Sequence, residues 1–345
     1  MKLLPRLKKN MSSSARFWIF FACSLLVLLV AAILFISFGA EKIAFSEVWS
    51  ALFNYDSDNF NHTIIRDIRI PRLLADIMVG ACLALSGAVM QGTTKNPMAD
   101  SGIMGISSGS VFAVVIIVAF FPDVSRLGRI GISALGSGVV TILIYLVALL
   151  AKRRASTEKM VLSGMAISTL LTSITTAIIL KEGISGEMMR YTAGSSANTI
   201  WSDIYVAAPF FLVGLVISLI ISRSLTIMNL GDDVSKGLGA NTFVIKLIST
   251  IVVLMLSAIA VVIIGPVGYV GLMIPHIVRH FVGVDYRYVL PLSSILGGAM
   301  VVLCDLIARL LIAPYEFPIG VIISMIGVPF FIFTSRREKI SGFDD

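Results

Sequence analysis

Polar residues fall in short clusters along this chain, and the stretches between them are apolar. The apolar runs read 17–38, 69–90, 102–121, 130–151, 160–180, 202–222, 242–264, 267–282, 289–312 and 317–335. Most approach the ~20 residues that an α-helix needs to cross about 30 Å of hydrocarbon. Barrel strands would alternate over segments of about 10 residues, whereas these runs are continuous. The pattern predicts an all-α integral membrane protein with ten spans. The weakest is 267–282, which is short and carries Pro275. The first run follows a basic tail. It is too long for a signal peptide, and Phe38-Gly39-Ala40 offers no expected cleavage site, so it reads as a retained helix.

Composition agrees: 57% of residues are hydrophobic, 14% are charged and mean hydropathy is +0.96. A soluble chain carries about 25% charged residues. The membrane domain is expected over 17–335, with polar tails at 1–16 and 336–345. The three cysteines (Cys23, Cys82, Cys304) all fall inside runs. They read as small packing residues, not as a disulfide framework.

Ten spans put both termini on one side. With that side cytoplasmic, about two thirds of the 27 Lys and Arg lie inside, which is the positive-inside asymmetry. Arg66, Arg69, Arg72 and Arg309 run against it. Two explanations stay open. Arg72 and Asp76 stand four apart on one helix, as do Asp305 and Arg309, and such neighbours can neutralise each other. Alternatively, the arginines form an external basic patch that receives an acidic partner.

Gly80, Ala84, Ala88 and Gly92 recur at every fourth position and admit a second helix at close range; tight packing is the first reading, a substrate wall the second. In "QGTTKNPMADSGIMGISSGS" (Gln91 to Ser110) the Asn96-Pro97 pair ends a helix, and Asp100 or Ser101 is placed to cap the next. Ser107, Ser108 and Ser110 then enter the bilayer, either to bond backbone or to line a wet route. In "LTIMNLGDDVSKGLGANTF" (Leu225 to Phe243) Asn229 can cap a short helix starting at Asp232 and Asp233, with Gly237 or Gly239 ending it in a left-handed turn. "IIGPVGYVGLMIPHIVRHFVG" (Ile263 to Gly283) reads as a broken helix. His276 and His280 stand four apart, but nothing completes a tetrahedral site, so no metal is expected. There is no G-x-x-x-x-G-K-[ST] phosphate loop. Membrane-core acids are scarce, with Asp76 beside Arg72 and Asp305 beside Arg309, which disfavours a proton relay.

The blocks "RIPRLLADIMVGACLALSGAVMQG", "KNPMADSGIMGISSGS", "NLGDDVSKGLGAN", "GPVGYVGLMIPHIVRH", "LPLSSILGGAMVVLCDLIARLLIAP" and "EFPIGVIISMIGVPFFIF" together resemble the FecCD-type permeases, membrane subunits of ABC importers for ferric siderophores, haem and cobalamin. The resemblance spans roughly 17–335. It implies the type II ABC importer permease fold: ten helices per subunit in inverted five-helix halves, in the plasma membrane of a bacterium, with both termini cytoplasmic. It implies partners: a second permease copy or paralogue, two cytoplasmic ATPase subunits that use ATP, and an extracytoplasmic substrate-binding protein. The chain itself then binds no cofactor and is no enzyme.

By residue, the resemblance places docking of the binding protein on Arg69, Arg72 and Arg309. Asp76 departs from the family pattern, where the position is usually apolar. A cytoplasmic gate falls on Asn96, Met98, Ser156 and Thr157. ATPase coupling falls on a short helix at 231–240, within a loop at about 224–242, carrying Gly231, Asp232, Asp233, Ser235 and Gly239. The expected cargo is an iron chelate, most often a ferric siderophore. Haem or cobalamin import and an ion-coupled secondary carrier are the rival readings.

Overall fold

The computed structural model describes residues 13–39, 43–101, 105–150, 157–313 and 315–341. Among them every ordered element is helical. Each of the ten apolar runs is a helix: α1 (Ser13–Ser37), α4 (Ile70–Thr94), α5 (Ile106–Phe120), α6 (Arg126–Leu150), α7 (Thr157–Lys181), α9 (Trp201–Met228), α11 (Thr242–Ile264), α12 (Val270–Val282), α13 (Tyr286–Leu311) and α14 (Ile319–Ser341). Four short helices join them: α2 (Phe45–Phe53), α3 (Phe60–Thr63), α8 (Ser185–Thr192) and α10 (Asp232–Gly237).

Seven of the ten are long and apolar enough to cross a bilayer, and 106–120, 270–282 and 319–334 are shorter apolar helices. The shortening has local causes. Gly105 takes a left-handed conformation (φ 84°) just before α5, and Gly265 (φ 92°) and Tyr269 (φ 69°) break the chain between α11 and α12. With 13 residues, α12 is about 20 Å long at 1.5 Å per residue, short of the hydrocarbon thickness. The broken helix expected around Pro266 is therefore present. Its irregular backbone is buried at Gly265 and Val267 and borders a cavity at Pro266–Gly268, settings in which non-helical backbone is tolerated.

α4 is the central helix. It packs against α13, α11, α9 and α12, and nearly all of its side chains are buried. The small-residue stripe serves this packing: a Cβ on Gly80 would overlap the Gly297 carbonyl on α13 and one on Gly92 the Tyr286 ring; Gly87, outside the stripe, meets the Gly271 carbonyl on α12 in the same way. α4 begins earlier than its apolar run suggests. Residues 60–69 continue it outward through one π-helical turn, Ile64–Arg69, which alters the angle at which Arg66 and Arg69 leave the helix.

Two expected caps are not the ones used. Asn229 ends α9, and Gly231 (φ 119°) precedes α10 without a side-chain cap. The Ser235 hydroxyl donates within this turn, 2.9 Å from the Ile227 carbonyl. Gly239 (φ 81°), not Gly237, is the left-handed stop. Asp100 and Ser101 are buried but do not cap α5, which starts after Gly105.

Candidate functional site

At the α4 start and the α13 end, the arginines do not pair as the i,i+4 spacing suggested. Arg72 reaches across to Asp305, Nε to Oδ2 and Nη2 to Oδ1, both at 2.7 Å. Its Nη1 lies 2.5 Å from Glu316 Oε1, on the segment leading into α14. It makes no hydrogen bond to Asp76, whose carboxyl oxygens are buried and unbonded. A bidentate fork uses the planar guanidinium fully, whereas a neighbour one turn along the same helix offers poorer geometry. The Ser196 hydroxyl also donates to Asp305 Oδ2, at 3.3 Å.

Arg309 does not pair with Asp305 either. Its Nη2 donates to the Phe35 carbonyl at 3.0 Å, and its guanidinium carbon lies 3.8 Å over the Phe35 ring centre. Arg69 donates to the carbonyls of Ile36 and Ser37. Both arginines thus hold the last turn of α1, where helix carbonyls lack intrahelical partners and the dipole favours a cation. All three proposed docking arginines are buried: 3% of Arg69, 4% of Arg72 and 9% of Arg309 is exposed. Arg66 is exposed and lies 4.4 Å over the Tyr55 ring.

At the opposite end, Lys95 closes α4 in a left-handed conformation (φ 56°). The Asn96 side chain accepts from the Met98 amide at 2.9 Å, which fixes the Asn96-Pro97 turn. The Gln91 amide donates to Ala99 and Gly271 carbonyls, tying the turn to α12. Of the gate residues, Ser156 lies outside the described residues and Thr157 is the first residue of α7. α10 covers most of the expected coupling helix, with Asp233 exposed and Val234 and Leu238 presenting apolar side chains outward.

A cavity of roughly 600 Å³ opens between α5, α7, α8 and the Pro266–Gly268 break. Its polar lining is hydroxyl: Ser107 and Ser108 from α5, Thr172, Thr175 and Thr176 from α7, Ser185 and Thr192 from α8. No charged side chain lines it among the described residues. The two roles left open for the α5 serines are divided between them. Ser110 bonds Ser137 and the Ser133 carbonyl on α6, while Ser107 and Ser108 face the cavity. The Ser107 hydroxyl is buried with no protein partner.

Sequence reasoning missed Glu316, Ser196 and the α7 hydroxyls. The last had a signal, since Ser168, Thr172 and Thr175 form a stripe at helical spacing. His276 packs edge-on against the Phe330 ring and His280 against Phe281. His62 is buried and accepts from the Asp56 amide at 3.0 Å.

The FecCD transport family model matches residues 25–337. The chain is 42% identical to the iron(3+)-hydroxamate import system permease protein FhuB of Bacillus subtilis, over 91% of this chain and 82% of that one. It is 35% identical to the iron-uptake system permease protein FeuB of the same organism, over 90% and 92%. Its fold matches a chain of a metal-chelate type ABC transporter solved in an inward-facing conformation, with a TM-score of 0.78, 26% identity and coverage of 92% and 98%. With helices that cross a membrane and a family match over nine tenths of its length, this chain is a multi-pass membrane permease of the FecCD transport family.

Proposed function

We propose that this permease subunit passes an uncharged ferric chelate, of the hydroxamate type, from an external binding protein to the cytoplasm of a bacterium. The observation that carries this reading is the cavity of roughly 600 Å³ with hydroxyl lining and, among the described residues, no charged side chain. Iron(III) held by three singly charged hydroxamate groups has no net charge. Such a complex can exchange water for hydroxyl partners at small cost. A polyanionic chelate leaving water without countercharges meets a penalty of several kcal/mol per ion, on the order given for buried charges. The identity to a hydroxamate permease supports the same reading.

The chain is a transport subunit and not an enzyme. Hydrolysis of ATP falls to the ATPase partners of the importer. In our reading the chain is one permease domain over 17–335, crossing the membrane ten times as two inverted five-helix halves, with both terminal tails in the cytoplasm. It pairs with a second permease, a copy of itself or a paralogue. The exposed Val234 and Leu238 of α10, with Gly231, Asp232, Asp233, Ser235 and Gly239 shaping the turn, seat in an ATPase subunit. The turn at Asn96 and Met98, with Ser156 and Thr157, closes the inner mouth. The binding protein docks at the end that carries Arg69, Arg72 and Arg309. Because Arg69 and Arg309 hold α1, Arg72 is the member an incoming carboxylate reaches, by replacing Glu316.

Uptake by the complete transporter in liposomes tests the cargo. A ferric trihydroxamate is expected to accumulate in an ATP-dependent manner, and Thr175→Asp to slow it without loss of the assembled complex. Accumulation of ferric citrate or haem with no trihydroxamate uptake would refute the cargo assignment.

A further inference from the structure

A second cavity, of about 260 Å³, lies on the other side of α8. It is bounded by α5, α6, α9, α11 and the segment 195–199. Its chemistry differs from that of the hydroxyl-lined cavity. Arg126 and Arg129 enter it from the first turn of α6, and Asp203 from the first turn of α9. Arg126 is ion-paired with Asp203. Arg129 donates Nε to the Val124 carbonyl at 3.3 Å and Nη2 to the Pro122 carbonyl at 3.2 Å. Among the described residues no carboxylate pairs with Arg129, so the cavity keeps one positive charge beyond its own acid. The Thr199 hydroxyl oxygen, on a residue 6% exposed, is buried there with no protein hydrogen-bond partner. A polar group in that state calls for a ligand or a water, since a buried hydroxyl left without a partner loses the hydrogen bonds it made to water.

The position of the cavity identifies the ligand. It sits where α6 and α9 begin and where α5 and α11 end, at the depth of lipid headgroups for helices that span the membrane. Phe120 and Phe121 at the end of α5 and Leu127, next in sequence to Arg126, are exposed. Trp201 and Tyr205 stack at the start of α9 with ring centres 5.7 Å apart, and Tyr205 is exposed. Amphipathic aromatics at helix ends mark the membrane–water boundary. Further along the same two helices, Leu135, Val139 and Ile142 on α6 and Leu212, Val213 and Val216 on α9 are exposed and offer apolar surface to acyl chains. The volume lies just under the ~300–1,000 Å³ of sites that enclose a whole drug-sized ligand, so it suits one headgroup and not a chelate.

We propose that this cavity binds the phosphate of an anionic phospholipid headgroup, between Arg129, Arg126 and the Thr199 hydroxyl. The site lies on the same end as the arginine-bearing helix starts, because the Trp201 indole donates to the Arg66 carbonyl at 3.0 Å. The segment that lines it also meets the docking cluster: Ser195 and Thr199 face the cavity, while Ser196 between them bonds Asp305. A bound headgroup therefore braces the strap on which the Arg72–Asp305 pair rests. The proposal depends on α6 and α9 spanning the bilayer and not on the identity of the cargo.

Native mass spectrometry of the full-length permease in detergent tests it, with phosphatidylglycerol, phosphatidylcholine and inorganic phosphate as separate probes. Phosphatidylglycerol is expected to be retained over phosphatidylcholine. Arg129→Gln should weaken retention about fivefold, the usual effect of one basic residue at a lipid surface, and Arg129→Lys should restore most of it. Thr199→Val, which leaves both arginines in place, should weaken it about threefold, as for one lost hydrogen bond. Equal retention of the two lipids by the unaltered protein would overturn the proposal, as would unchanged retention in both Arg129→Gln and Thr199→Val. Occupancy by inorganic phosphate with no preference for phosphatidylglycerol would overturn the lipid source.

Discussion

Arg72 and Asp305, 233 residues apart, meet in a bidentate pair that fastens the α4 start to the α13 end. Asp305 is fully buried and Arg72 nearly so. Removing one partner of a buried pair strands the other charge, at a cost of about 3–5 kcal/mol. Asp305→Ala is expected to lower the thermal transition of the detergent-solubilised protein strongly. The double change Arg72→Met with Asp305→Leu should cost markedly less, because it leaves behind neither member of the buried pair and Glu316, which loses its contact, is half-exposed to water. A double variant as unstable as the single one would show that the pair contributes something beyond mutual neutralisation.

The contact of Gly80 with Gly297 sets how closely the same two helices approach. A methyl group at Gly80 meets backbone, which cannot rotate away as a side chain can. Gly80→Ala should therefore destabilise the protein by about 1–3 kcal/mol, the range for overpacking a close-fitting core. Gly131→Ala, which meets nothing within 4 Å, is the matched control. Thermal melts of the two variants side by side decide the point.

Each of the ten apolar runs is a helix because hydrophobicity at this length leaves few alternatives, while the four short connecting helices left no such mark. The small-residue stripe also pointed to its own packing, since small residues at every fourth position let a second helix approach closely. Pairing of the arginines was another matter. Asp76 lies one turn from Arg72 in sequence, but the partner that wins comes from 233 positions away, and spacing along one helix says nothing about a neighbouring helix. Arg69 and Arg309 spend their donors on main-chain carbonyls at the end of α1, and carbonyls leave no mark in a sequence. The hydroxyl-lined cavity was half legible. Ser107 and Ser108 stood out, whereas the α7 threonines became meaningful only once α8 and the Pro266–Gly268 break were seen to face them.

Arg69 and Arg309 end α1 by binding its last carbonyls. Replacing either with glutamine keeps a donor but removes the cation that suits a helix C-terminus, a change on the order of 0.3–1 kcal/mol for an exposed site and up to about 2 when partly buried. The expected result is local: faster amide hydrogen exchange over residues 34–39, with the α4 and α13 cores unchanged. Exchange that quickens throughout would mean that these side chains hold the whole bundle.

Asp285 opens α13 at the other end of the molecule. Its carboxylate accepts from the Arg287 amide at 3.0 Å and from the Arg287 guanidinium at 2.7 Å. The guanidinium bond holds its pKa below the ordinary carboxylate value, with burial opposing. A depressed folded-state pKa gives a contribution fully present above about pH 4, the unfolded value, and lost as pH falls through the folded value. The first turn of α13 should thus fray in acid below pH 4, measured as exchange at residues 286–289. Asp285→Asn should remove this dependence, and a pH response that survives the substitution would assign it elsewhere.

Glu316 has a different standing from Asp305. It is 42% exposed at its side chain and contacts the outward-facing nitrogen of Arg72. A carboxylate of a docking partner would have to displace it, since one N–H cannot serve two acceptors fully. Half-exposed Glu316 can trade this contact for water, whereas fully enclosed Asp305 cannot, so Glu316 is the partner that can be exchanged. Glu316→Gln should therefore leave the thermal transition nearly unchanged and tighten binding of the substrate-binding protein by up to about fivefold, read by surface plasmon resonance on nanodisc-embedded transporter. If Arg72 takes no part in docking, the substitution leaves the affinity where it was, and the docking surface must then be sought around the exposed Arg66.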